Sequence, residues 1–204
     1  MGFDPADVTA TDGIQPLRPA EVAVFLRAAR DHVVSELAAM GDPLAGWQPA
    51  DGEWSANECV GHLIEADGRG FAGRIRRILD EDGVAESGWN QLEVAAARRD
   101  WERPVGDVIA EFVAGRDDGI GLVEGLRSED LGRSAVHAVV GRVTISDLLH
   151  EWVFHDRNHI RQLLANAQAR AWPGMGNARR FSQPRATTSE TSAADLGERV
   201  PTRR

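Results

Sequence analysis

His155 and His159 stand four residues apart in the segment His155-Asp156-Arg157-Asn158-His159. On a helix each residue advances by about 100°, so the two imidazoles share one face, one turn apart. Two imidazoles so arranged can bind a single metal ion together. Ile145, Leu148, Trp152 and Leu163 mark the apolar stripe of this helix. Both histidines fall inside the stripe, and His150 falls nearly opposite. With six histidines in the chain, one such spacing can also arise by chance. The pair alone is equally compatible with two core-edge histidines bonded to backbone or amide groups, because buried imidazoles need partners of some kind. The segment is not the zinc-protease motif either: Asp156 stands where a glutamate would serve as general base, and its side chain is one methylene shorter.

A third ligand is available at His62. The helix around it has its main stripe on Val60, Ile64, Phe71, Ile75 and Ile78. His62 lies off that stripe, beside the small residues Cys59, Ala66, Gly70 and Gly73, which leave room for a cavity. A plain surface histidine is the other reading, and periodicity does not separate the two. Three neutral imidazoles with an open fourth position form the pattern of catalytic zinc sites, whereas structural sites close with four protein ligands. Imidazole suits nickel and iron as well.

Other groups near these positions carry less. Asp156 is a candidate to orient a ligand imidazole or to accept a proton, with a solvated carboxylate as the alternative. Glu58 could do the same, but it stands three residues after Ser55, where a capping box already accounts for it. Cys59 is a rival ligand or nucleophile, although a lone helical cysteine usually acts as an inert small hydrophobe. His32 and His137 have no partner at ligand spacing and read as incidental.

Four long helices must position these residues. The first is expected from about Pro19 to Met40, with Val22, Phe25, Leu26, Ala29, Val33 and Leu37 on one stripe and Gly41-Asp42-Pro43 as its stop. The second runs from Ala56, capped by Ser55, to about Leu79. The third starts near Pro104, a residue favoured at a first helical position, and reaches about Leu126. Its glycines at 115, 119, 121 and 125 each weaken it by about 1 kcal/mol relative to alanine. The fourth follows a cap at Thr144 or Ser146-Asp147 and ends near Ala171. Residues 88–103 allow a short helix or an ordered loop. Val136 to Thr144 is β-branched and reads as an extended crossing over one end.

The whole is an all-α, up-down antiparallel four-helix bundle, a fold whose core can hold metal sites built from facing helices. Residues 1–18 form an N-terminal extension, 19–172 the bundle, and 173–204 a flexible polar tail rich in Ser, Thr, Arg and Ala. The formal net charge is −9 and every basic residue is arginine. Such a chain suits non-specific nucleic-acid binding poorly, since phosphate affinity rests on clustered cations. Only the tail is basic. One cysteine allows no intramolecular disulfide. The N-terminal stretch lacks the apolar segment of a signal peptide, and no apolar run approaches the roughly 20 residues of a membrane span. The expectation is a cytoplasmic protein without nucleic-acid or membrane partners.

Two segments together resemble the DinB-like family. Glu53-Trp54-Ser55 through Glu58 to His62-Leu63 is similar to its "W-S … E … H-L" element. Thr144-Ile145 through Leu148-Leu149 to His155-Asp156, His159 and Gln162-Leu163 is similar to its "H-D … H … Q-L" element, and Gly141-Arg142-Val143-Thr144 fits the approach. The likeness spans roughly residues 19–172. It implies a bundle, often a homodimer, with a divalent metal, zinc or nickel, on His62, His155 and His159. It further implies a metal-dependent enzyme that transfers a low-molecular-weight thiol of the mycothiol or bacillithiol class to an electrophilic small molecule. A metal-dependent hydrolase and a non-enzymatic metal- or ligand-binding stress protein are the alternatives. The extra C-terminal domain common in mycothiol-dependent isomerases is replaced here by the short tail.

Overall fold

The computed structural model describes residues 13–182. The expectations for most of the N-terminal extension and of the polar tail fall on residues outside this range.

Helix α1 spans Pro19–Ala45, and Glu21 accepts the N–H of Arg18 at 2.8 Å at its start. Gly41 does not end it but kinks it, at φ 65, and one more turn follows through Pro43. Helix α2, Ala56–Glu65, opens on the expected capping box. Glu58 accepts the N–H of Ser55 at 2.8 Å, and the Ser55 hydroxyl accepts that of Glu58 at 3.2 Å. The second long helix is not uniform, however. A π-helical segment at Ala66–Phe71 separates α2 from α3, Ala72–Asp80.

Residues 84–103 form a connection with structure of its own. Strand β1 is Val84–Glu86, and α4, Gln91–Arg98, is capped by the Asn90 carboxamide. A 3₁₀ turn at Asp100–Glu102 leads to α5, Val105–Glu124, which remains unbroken despite its glycines. The expected extended crossing is a hairpin of β2, Ser134–His137, and β3, Gly141–Thr144. β2 pairs antiparallel with β3 and parallel with β1, in the order β1-β2-β3. Thr144 then caps α6, Ile145–Ala171, exchanging bonds with Asp147 at 2.9 and 3.1 Å.

The four long helices form a four-helix bundle, as expected, and residue pairs give their directions, which do not simply alternate up and down. α1 runs against α5: Arg27 pairs with Glu124, Arg30 with Asp117, and Asp42 accepts the N–H of Val105. α2 and α3 run against α6, with His62 beside His155 and Phe71 stacked on Trp152. α2–α3 and α5 run in the same sense, as the Asn57–Arg103 and Asp67–Arg116 bonds advance together along both. Two helices consecutive in the bundle can share a direction only if the link between them travels the bundle's length. The β1–α4 connection does so.

Two apolar clusters fill the core. One gathers Val22, Leu26, Phe71, Ile75 and Trp152; the other gathers Val33, Leu37, Leu63, Phe112 and Leu163. The described residues to Arg170 make one unit, and those from Ala171 another. In the latter, Arg179 donates to the carbonyls of Trp172 and Pro173 at 3.0 and 2.8 Å.

Candidate metal centre

His62 sits two turns into α2, and His155 and His159 sit mid-way along α6. The antiparallel pairing of these helices brings the three rings together. One nitrogen from each lies within 4.8 Å of the other two. Ring centroids are 5.2 Å apart for His62–His155, 4.5 Å for His62–His159 and 4.4 Å for His155–His159. Trp54 and Trp89 flank His62, and the edge of Phe71 meets His155.

The electrostatics favour neutral rings. Burial, reinforced by His159, pushes the His62 pKa down to about 4. Burial also pushes His155 down to about 3, helped by its two histidine neighbours and by Arg116. His159 is lowered by burial too, against an opposing bond from Gln162. Neutral imidazoles keep a lone pair for a cation.

The donor set fits a divalent ion on two further grounds. The Nε2 atoms of His62 and His155 face each other at 3.2 Å. Two imidazole nitrogens on one tetrahedral zinc would stand about 3.3 Å apart. Gln162 Oε1 meets His159 Nδ1 at 2.7 Å; an amide oxygen only accepts, so Nδ1 carries the proton and Nε2 keeps the lone pair. His155 Nδ1, by contrast, is buried without a hydrogen-bond partner among the described residues, so no bond to the protein fixes the tautomer of this ring as Gln162 does for His159.

A cleft of about 250 Å³ opens beside the rings, lined among others by His62, His155, Ala66 and Gly70. The small-residue row thus does leave a cavity at two of its members. Gly73 serves otherwise: a Cβ there would lie 2.1 Å from the Gly68 carbonyl, brought close by the π segment. Cys59 lines a separate hollow of about 200 Å³ with Trp54, Gln162 and Asn166. It is buried, and burial pushes its thiol up to about 12, so it is no ready thiolate.

Asp156 is buried at 1% exposure and faces Arg116, which donates to both its oxygens. It is neither solvated nor bonded to an imidazole. Arg116 donates equally to Asp67, at 2.8 and 3.1 Å, and the Trp152 indole N–H donates to Asp67 at 2.8 Å. Burial pushes the Asp67 carboxyl above its usual range, opposed by the Arg116 charge. This buried Asp67–Arg116–Asp156 group ties α3's approach, α5 and α6 together directly beneath the histidines. Its signal in the sequence is a charge inside an apolar stripe. Arg116 stands four residues after Phe112 and four before Ile120, and Asp67 stands seven after Val60 and four before Phe71.

His137, without a partner at ligand spacing in the sequence, lines the cleft from the end of β2, as do Arg74, Gln91 and Glu151. Their assembly depends on the hairpin and the connection, which no local pattern brings together. His150 is half-buried and accepts the N–H of Leu17 at 2.9 Å, and His32 is exposed.

No curated protein matches the sequence. The fold is similar to a solved structure described as "YfiT from Bacillus subtilis is a probable metal-dependent hydrolase with an unusual four-helix bundle topology". The TM-score is 0.68 at 15% identity, covering 83% of this chain and 94% of that one. The family model of the DinB superfamily matches residues 7–163, from before α1 to within α6 and across all three histidines, and the chain belongs to that superfamily.

Proposed function

We propose that the protein is a metal-dependent enzyme: His62, His155 and His159 hold one divalent ion, zinc or nickel, and a low-molecular-weight thiol of the mycothiol or bacillithiol class is transferred to an electrophilic small molecule. One observation carries this. Three neutral imidazoles converge, two of them, His62 and His155, line an open cleft, and no carboxylate or cysteine among the described residues joins them as a fourth ligand. An ion there supplies Lewis acidity, lowering the pKa of a thiol, or of water, that reaches it from the cleft.

The protein's own groups divide the remaining work. Gln162 orients His159. Cys59 lies outside the cleft and stays protonated, so the reacting thiol is an external one. Glu151, one turn before His155 in the cleft wall, has its pKa raised by burial and is the carboxylate available to accept a proton. Asp156, held by Arg116, positions α6. A cytoplasmic homodimer belongs to the same reading, and sedimentation of the purified chain tests the dimer.

Hydrolysis is the second reading, favoured by that same carboxylate at the open side and by the wording attached to the Bacillus subtilis structure. The experiment is metal loading followed by turnover of an electrophile panel with and without added thiol. Conjugates seen by mass spectrometry only with thiol support transfer. Turnover without thiol supports hydrolysis. Metal binding with no turnover leaves the binding protein, and a chain that takes up no metal sinks every metal-dependent reading.

A further inference from the structure

We propose that Arg74 and His137, both lining the cleft, form an anion subsite that binds the carboxylate of a small-molecule substrate whose reactive group faces the histidines. The inference rests on the cleft being the substrate site.

Arg74 lines the cleft from α3 with a side chain only 16% exposed. Among the described residues its one ionic neighbour is Glu86, at 3.5 Å. Glu86 is already engaged at both oxygens by Arg77, so two guanidinium groups share one carboxylate. Arg74 Nε is the atom that approaches Glu86 Oε2, at 3.5 Å and without hydrogen-bond geometry, and this buried nitrogen has no hydrogen-bond partner among the described residues. A buried cationic donor left unsatisfied is costly, and a carboxylate matches the guanidinium fork with two parallel bonds.

His137 adds a second donor. The backbone N–H groups of Val139 and Val140 point at its Nδ1, at 3.2 and 3.4 Å. Both are donors, so Nδ1 accepts and a neutral ring carries its proton on Nε2. Nε2 faces Gly88, another cleft residue, 3.9 Å from where a Cβ would stand. Among the described residues Glu151 is the only carboxylate lining the cleft, a single anion set against the Arg74 guanidinium and the His137 N–H. A guanidinium and an imidazole N–H line the same cleft as His62 and His155, which suits a bifunctional ligand. The carboxylate can belong to the thiol or to the electrophile.

The test is calorimetry with simple probes. The cobalt(II)-loaded chain is titrated with 3-mercaptopropionate and with 2-mercaptoethanol. The metal-free chain, and the loaded chain saturated with mercaptoethanol, are titrated with succinate. If the thiol bears the carboxylate, mercaptopropionate binds about tenfold more tightly than mercaptoethanol, the scale of one charge-assisted bond. Arg74→Gln and His137→Ala then each reduce that preference and leave mercaptoethanol affinity unchanged. Arg77 keeps Glu86 paired in Arg74→Gln, so the α3–β1 link survives. If the electrophile bears it, succinate binds beside mercaptoethanol, and Arg74→Gln weakens it about tenfold. A carboxylate that merely chelates the ion keeps its preference in both variants, which overturns the proposal. So does the lack of any Arg74-dependent carboxylate affinity in every arm, while cobalt binding leaves the metal reading standing. A chain that fails to bind cobalt defeats the metal reading alone, because succinate binding to the metal-free chain still decides the subsite.

Discussion

Each imidazole in the cluster is held neutral by burial, and this has two measurable consequences. Single substitution of His62, His155 or His159 by alanine leaves two ligands for an ion that requires at least three from the protein. Metal content measured by mass spectrometry after gel filtration is expected to fall from about one equivalent to well below it in each variant; full retention in any one removes that residue from the site. The second consequence is a pH dependence of the metal-free protein. His62 falls from 6.5 to about 4 on folding. As pH drops through 6.5 the unfolded chain takes up a proton that the folded chain refuses. Stability is therefore complete above about 6.5 and lost progressively toward about 4. The Tm of the apo-protein is expected to decline over that window, less steeply in His62→Gln. Arg116 is the other decisive residue. It neutralises two buried carboxylates, Asp67 and Asp156. Breaking a buried ion pair by removing one partner costs about 3–5 kcal/mol. Urea unfolding of Arg116→Met should show a loss of that order, and a loss below about 1 kcal/mol would mean that the carboxylates simply take up protons.

Among the elements, α5 separates two kinds of glycine. Gly119 packs under Trp152: a Cβ there would lie 2.8 Å from the indole ring. Gly115 has open space around it. Alanine at 115 should gain up to about 1 kcal/mol from helix propensity. At 119 the same propensity gain is outweighed by forcing Trp152 off its stack with Phe71, at about 1–3 kcal/mol. Opposite shifts in Tm for Gly115→Ala and Gly119→Ala are the expected outcome; a stabilising Gly119→Ala would show that Trp152 can move freely. The π segment Ala66–Phe71 belongs to this scale too. It carries Asp67 toward Arg116 and Phe71 onto Trp152, and such segments often mark functional places in helices.

At the scale of the molecule, the three proposed ligands come from two antiparallel helices, α2 and α6, and His62 and His155 are 93 residues apart in sequence. An ion that binds only the folded chain therefore stabilises the whole bundle. At 100 times its Kd it should add about 2.7 kcal/mol, or about 5–10 °C in Tm for a domain of this size. Differential scanning calorimetry with zinc or nickel against chelator checks this. An unchanged Tm with metal bound would place the ion on the unfolded chain equally well.

The sequence alone determined the helices, their caps and the pairing of His155 with His159, because these follow from local periodicity and from one or two neighbouring side chains. The Ser55–Glu58 box is of that kind, and the Thr144 cap was one of two that the sequence offered. His62 stood in the sequence mainly through family resemblance, since its helix face did not decide between cavity and solvent. Tertiary structure decided that question by folding α2 against α6. It also decided what shares the cleft with the histidines. Arg74, Gln91 and His137 come from a helix, the connection and a hairpin, and the sheet that gathers them exists only once β1 pairs with β2 across some 50 residues of chain. Whether α2 and α5 share a direction, and whether Asp156 meets solvent or a buried guanidinium, depend on that same long-range packing. Side-chain period reports which face of a helix is turned inward, and the neighbour it meets there is set by the rest of the fold.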